Sequence, residues 1–151
     1  MPPRAPAAQG QQEQVTAEGR SLLWIAASLG HLAGVRALLS SGGVLVDRQC
    51  NQGISPMYVA CQCGHLEVVR ALLSAGAEVD LPTKQGVTPL FVACQKGNLE
   101  TVRALLSAGA KVDLQNLEDA SPLFIACHQG HVKAARALLS AGAKVDLLLT
   151  N

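Results

Sequence analysis

The chain repeats itself every 33 residues. Pro56, Pro89 and Pro122 stand in that register, and so do Cys61, Cys94 and Cys127, and Arg70, Arg103 and Arg136. Residues 53–85 laid over 86–118 agree at 21 of 33 positions. A period of this length requires a stack of small units, each burying its apolar face on its neighbours rather than in one central core. The positions that escape the period become the informative ones.

The 33-residue unit reads as two short helices and a connection. Thr88 is a hydroxyl N-cap, and Pro89 follows at the first helical position, where a missing N–H costs nothing. Leu90 to Cys94 continue an apolar helix until Gly97-Asn98, residues that tolerate a left-handed backbone. Leu99, Val102, Leu105 and Leu106 then place one apolar stripe on a second helix over Leu99–Ser107. Lys111 to Glu118 form an extended polar link to the next unit. Ser55-Pro56 and Ser121-Pro122 open two further units in the same way, while Ser21-Leu22 opens the first without proline. The first unit is also one residue longer.

Gly86-Val87-Thr88-Pro89-Leu90, Ala93, Gly97-Asn98-Leu99-Glu100, Leu105-Leu106 and Gly109-Ala110 resemble the ankyrin repeat. The likeness spans about residues 19–151, as repeats near 19–52, 53–85, 86–118 and 119–151. It implies an all-α solenoid of stacked helix-turn-helix repeats with projecting β-hairpin-like loops, and it implies protein–protein recognition. Residues 1–18, rich in Pro, Ala, Gln and Gly, read as a disordered leader. The family usually places His after Thr-Pro-Leu. Here Trp24, Tyr58, Phe91 and Phe124 hold that position. The preferred reading is a hydrophobic replacement for the family's His network, and the second is a recognition stripe.

Composition narrows function further. A formal net charge of +1 and 3% aromatic residues favour neither nucleic acid nor an anionic membrane surface. No apolar run approaches the roughly 20 residues that span a bilayer. The expected setting is intracellular, cytoplasmic or nuclear. No cofactor, metal or catalytic constellation is expected. His31, His65 and His131 follow Gly in the helix–helix turn, and Asn98 replaces them in the third unit. A role shared with Asn is hydrogen bonding, not general base catalysis. In-register cysteines lie about 10 Å apart in a stack, beyond the roughly 7 Å Cα limit for a disulfide, and read as buried packing thiols. Cys63 breaks the register and is the expected exposed thiol. The arginine row reads first as a solvated outer face, partly paired with Glu67 and Glu100.

Units two and three differ at 12 positions, eight of which fall in the connection or at the first helix's end. That assigns the candidate partner contacts to Gln49, Asn51 and Gln52, to Thr83, Lys84 and Gln85, and to Asn116, Leu117, Glu118 and Asp119. At the first helices it adds Gln62, Cys63, Gln95, Lys96, His128 and Gln129. Leu117, opposite Lys84 in the register, is an apolar anchor candidate. Asp119 stands where the other units have Gly53 and Gly86, which predicts a reshaped hairpin. An exposed apolar patch is expected near Leu147–Leu149, open to a partner or to self-association. The functional expectation is a non-catalytic interaction module. The alternative is the substrate-recognition or targeting part of a larger ubiquitin-ligase or signalling assembly. Nucleic-acid binding and a Cys63 thiol enzyme are weaker readings.

Overall fold

A computed structural model describes residues 13–145. Among them eight helices run in chain order: α1 (Leu22–Ser28), α2 (Leu32–Ser40), α3 (Pro56–Cys63), α4 (Leu66–Ser74), α5 (Pro89–Lys96), α6 (Leu99–Ser107), α7 (Pro122–His128) and α8 (Val132–Ser140). Each odd helix starts on a hydroxyl cap. The Ser21, Ser55, Thr88 and Ser121 oxygens accept from the N–H of Trp24, Tyr58, Phe91 and Phe124. These caps are buried, so the hydroxyl satisfies a backbone donor that water cannot reach.

Helices this short are marginal alone. They persist because α1, α3, α5 and α7 pack in one row and α2, α4, α6 and α8 in another. Leu23, Leu72, Leu90, Leu105 and Leu138 are wholly buried between the rows, with Val35, Val69, Val92 and Val102. The molecule is an all-α solenoid of stacked helix-turn-helix repeats.

Backbone and side-chain bonds tie each unit to the next. The His65 ring nitrogen Nε2 lies 3.1 Å from the Ser28 carbonyl, and His131 Nε2 lies 3.1 Å from that of Gln95. Asn98 Nδ2 donates to the Cys61 carbonyl at 3.2 Å. His65 and His131 are therefore inter-unit struts, and Asn98 serves in their place by reaching the carbonyl one residue earlier in the preceding first helix. His31 instead accepts the Gly34 N–H on Nδ1. The carboxylates of Asp47, Asp80 and Asp113 accept the N–H of Glu78, Lys111 and Lys144 in the following unit.

The hairpin-like loops share one geometry, so the reshaping expected at Asp119 does not occur. In the fourth, Asp119 N–H donates to the Asn116 carbonyl and Asn116 N–H to that of Ala120. The same pair of bonds closes 16–20, 50–54 and 83–87. The closing residue is left-handed each time: Gly19, Gly53, Gly86, and Asp119 at φ 58°. A Cβ on Gly53 would sit 2.8 Å from Lys84 N, so the glycine is needed for space as well as for φ. Asp119→Gly should therefore stabilise the fold by roughly 0.5–1 kcal/mol, the strain relieved less the unfolded-state entropy gained. Urea unfolding checks this, and a destabilised variant would show that the carboxylate itself holds the hairpin.

Two further expectations need revision. Residues 13–18, placed in the leader by composition, form part of the first hairpin. Val15 bridges Ser21, Asn51 N–H donates to the Glu18 carbonyl, and Glu13 lies 3.6 Å from Arg48. Composition missed this because unit one is a residue out of period. Residues 1–12 lie outside the described residues, as does the apolar patch expected at Leu147–Leu149. The in-register thiols also differ: Cys61 and Cys94 are buried but Cys127 is exposed. Units stacked over the first two shield them, and no unit follows Cys127 among the described residues.

Candidate partner-binding surface

The hairpins and the first helices of units two to four enclose a groove of about 460 Å³. Seven of the sixteen candidate contacts line it: Gln85, Gln95, Asn116, Leu117, Glu118, His128 and Gln129. Its floor is the in-frame aromatic position, Tyr58, Phe91 and Phe124, with Val87 and Ile125 beside it. The aromatics differ in burial along the stack. Trp24 and Phe91 are buried in the stack, and Trp24 Nε1 donates to the Ile54 carbonyl. Tyr58 and Phe124 are only half-buried. Burial raises the Tyr58 phenol above its ordinary pKa, so it stays a neutral hydroxyl. His128 stacks on Phe124 one helical turn away, centroids 5.9 Å apart.

Leu117 is 76% exposed at the fourth hairpin tip, an apolar side chain that nothing in its own unit requires there. Its backbone is fixed all the same, since Leu117 N–H donates to the Gln85 carbonyl in the preceding hairpin. The tip is a braced platform carrying an unshielded apolar group. Lys84, Lys96, Gln52, Gln62, Cys63 and Asp119 are exposed as well, outside the groove lining. Asn51 and Gln52 line a smaller recess of about 320 Å³ by the first hairpin.

Four candidates are already engaged inside the protein. The Gln49 amide donates to the Gly53 and Pro82 carbonyls, and Asn51 Nδ2 to that of Ala17. Thr83 is buried, its hydroxyl accepting from Gln85 and Val87 N–H. Asn116 Oδ1 accepts from Glu118 and Ala120 N–H. They vary between units because several side chains can close such a turn.

The opposite face carries the arginine row. Arg70 and Arg103 pair with Glu67 and Glu100 at 2.8 and 2.9 Å. Grooves of about 450, 530 and 870 Å³ separate successive even helices. They exceed or match the concave groove in volume but are walled mainly by residues the repeat dictates. In the largest, Lys133 takes the place of the paired glutamate. Deviations from the repeat gather on the other face, which makes that face the candidate.

Among the described residues no cluster of three or more His, Cys, Asp or Glu could hold a metal. Burial pushes the Cys94 thiol up to about 12, so it stays protonated and inert. No described helix is long and apolar enough to cross a membrane. A protein-family model for ankyrin repeats, built of three copies, matches residues 5–83 and 72–148. No curated protein matches the chain.

Proposed function

The chain belongs to the ankyrin repeat family, and from that premise we propose that it is a non-catalytic adaptor that captures a partner protein on its hairpin tips and concave groove. Ankyrin repeats are in general protein–protein interaction modules. The observation that carries the reading is Leu117, 76% exposed on a braced hairpin beside a groove with an aromatic floor. An exposed apolar anchor next to a concave apolar surface is the usual core of a recognition patch. Lys84 and Lys96 lie on the same side, where they add charge selectivity and faster encounter.

Replacing Lys84, Lys96 and Leu117 by alanine together should leave the melting temperature within about 2 °C, because exposed side chains change stability by under roughly 0.5 kcal/mol. Capture of partner from cell extract should fall by an order of magnitude or more if the anchor contributes about 1.4 kcal/mol or above. Undiminished capture would move the binding surface to another face. A targeting role within a larger ligase or signalling assembly would use this same surface, so the variant tests both forms.

A further inference from the structure

The face that carries the arginine row follows the repeat closely, and Lys133 is where it departs. Lys133 is the second residue of α8, where α4 has Glu67 and α6 has Glu100. An acid suits the first turn of a helix, because unsatisfied N–H groups make that end positive. A lysine there lowers local stability, and Lys133 is the only basic residue in the first turn of any of the eight described helices. The exchange also deprives Arg136 of the acid that Arg70 and Arg103 find three residues earlier. Among the described residues neither Lys133 nor Arg136 forms an ion pair. A departure from local rules with no contact in the fold to offset it points to a task outside the fold.

Both cations open into one groove. Lys133, Arg136 and Arg103 line the space between α6 and α8 with a single acid, Glu100, which Arg103 holds at 2.9 Å. The neighbouring grooves each set two arginines against one glutamate, an excess of one positive charge. Here three cations face one acid, and the excess of two sits on Lys133 and Arg136. Three residues apart on one helix, their Cβ atoms are about 5–6 Å from each other. Both are exposed, above a half-buried floor of Leu99, Leu106 and Ala137.

That charge pattern fits a carboxylate-bearing chain. An arginine takes a carboxylate through two parallel bonds, a lysine takes one as a point charge, and the floor accepts the aliphatic part of a peptide side chain. A nucleic-acid strand draws its affinity from a long row of phosphate contacts, and this row is interrupted by the glutamates paired with Arg70 and Arg103. The chain's own remaining segments are poor in acids: residues 1–12 contain none and 146–151 contain Asp146 alone. We infer that the groove between α6 and α8 is a second docking site, binding an acidic, Glu- or Asp-rich segment of a partner protein on Lys133 and Arg136. It lies on the face away from the concave groove and does not rest on that surface's reading.

The test is an anisotropy titration of dye-labelled hexaglutamate with the full chain at about 10 mM salt, where the Debye length is ~30 Å. A Gly-Ser hexapeptide with the same dye and a thymidine hexanucleotide are the comparison ligands. Hexaglutamate should bind saturably and the Gly-Ser peptide should not. Lys133→Glu should weaken hexaglutamate roughly tenfold, since it removes an attraction and adds a repulsion. It should also raise the melting temperature by about 1–4 °C, because it returns an acid to the first turn of α8 and a partner to Arg136. Arg136→Ala should weaken binding about threefold or more. Lys111→Glu makes the same change of net charge outside this groove, at a position where unit two has Glu78, and should leave affinity within about twofold. Equal losses in Lys133→Glu and Lys111→Glu would reduce the effect to net charge and overturn the inference. A melting temperature lowered by Lys133→Glu would do the same, by giving the lysine a structural task. Hexanucleotide binding as tight as that of hexaglutamate would make the groove a nucleic-acid surface instead. Absence of saturable binding also sinks the inference, including absence because a second copy fills the groove with Glu118-Asp119, which a concentration-dependent mass would reveal.

Discussion

Leu105→Ala should destabilise the fold by about 2–5 kcal/mol, the cost of a large-to-small change at a site that cannot collapse. Leu105 is wholly buried on α6 and belongs to the single continuous core. Its neighbours on both sides are themselves pinned, by the Asn98 strut to Cys61 and by the His131 strut to Gln95. The backbone around the lost side chain is thus held from two directions and relaxes little. In a stack, a weakened middle unit also weakens both of its interfaces, so the loss exceeds the unit's own share. Leu139→Ala provides the internal control. That leucine is 46% exposed on α8, and its truncation should cost under about 1 kcal/mol by the area it buries. Urea unfolding of the two variants beside the parent measures the difference. Equal losses would mean that the even helices are not packed in the row described.

The contrast between these two leucines shows where the sequence was legible. Periodicity placed Pro89–Lys96 and Leu99–Ser107 because cap, stripe and terminating glycine all agree within one unit. It assigned the turn histidines to hydrogen bonding because Asn98 substitutes for them. It anticipated the exposed Leu117 from its departure from the register, but not that Asp119 would take the glycines' left-handed conformation and close an unchanged hairpin. What it could not supply is position along the stack. Cys127 has the same register as Cys94, yet one is exposed and the other buried. A repeat states what a unit presents, not whether a neighbour covers it. For the same reason variation alone could not separate Leu117 from Gln49, Asn51, Thr83 and Asn116. All five lie in variable hairpins, but four spend their polar atoms on their own turn or a neighbouring hairpin. The aromatic floor was visible as a column of residues, while the groove above it arises only when hairpins and helices are placed together.

Gly97→Ala is expected to have the second large effect, and it separates two costs that usually travel together. Gly97 caps α5 at φ 70°, where an added Cβ costs about 1–2 kcal/mol through its own backbone. That Cβ would also lie 2.5 Å from His131 Nδ1 of the next unit. The ring must leave its place, and its bond to the Gln95 carbonyl goes with it. Losing a partly buried hydrogen bond adds roughly 1 kcal/mol, so the total should reach about 2–3 kcal/mol. Gly109→Ala isolates the first term. Its φ is 87°, yet nothing lies within 4 Å of the position a Cβ would take. It should therefore lose only the backbone cost of about 1–2 kcal/mol. Adding His131→Ala to Gly97→Ala removes the obstructed ring, and the pair should cost less than the sum of the two single changes, the signature of a direct contact. Strict additivity in that cycle, or equal losses for Gly97→Ala and Gly109→Ala, would mean that the turn residue does not dock on the glycine of the unit before it. The docking of each turn on its predecessor's glycine is what sets the successive first helices in register, and with them the ring-to-ring step along the groove floor.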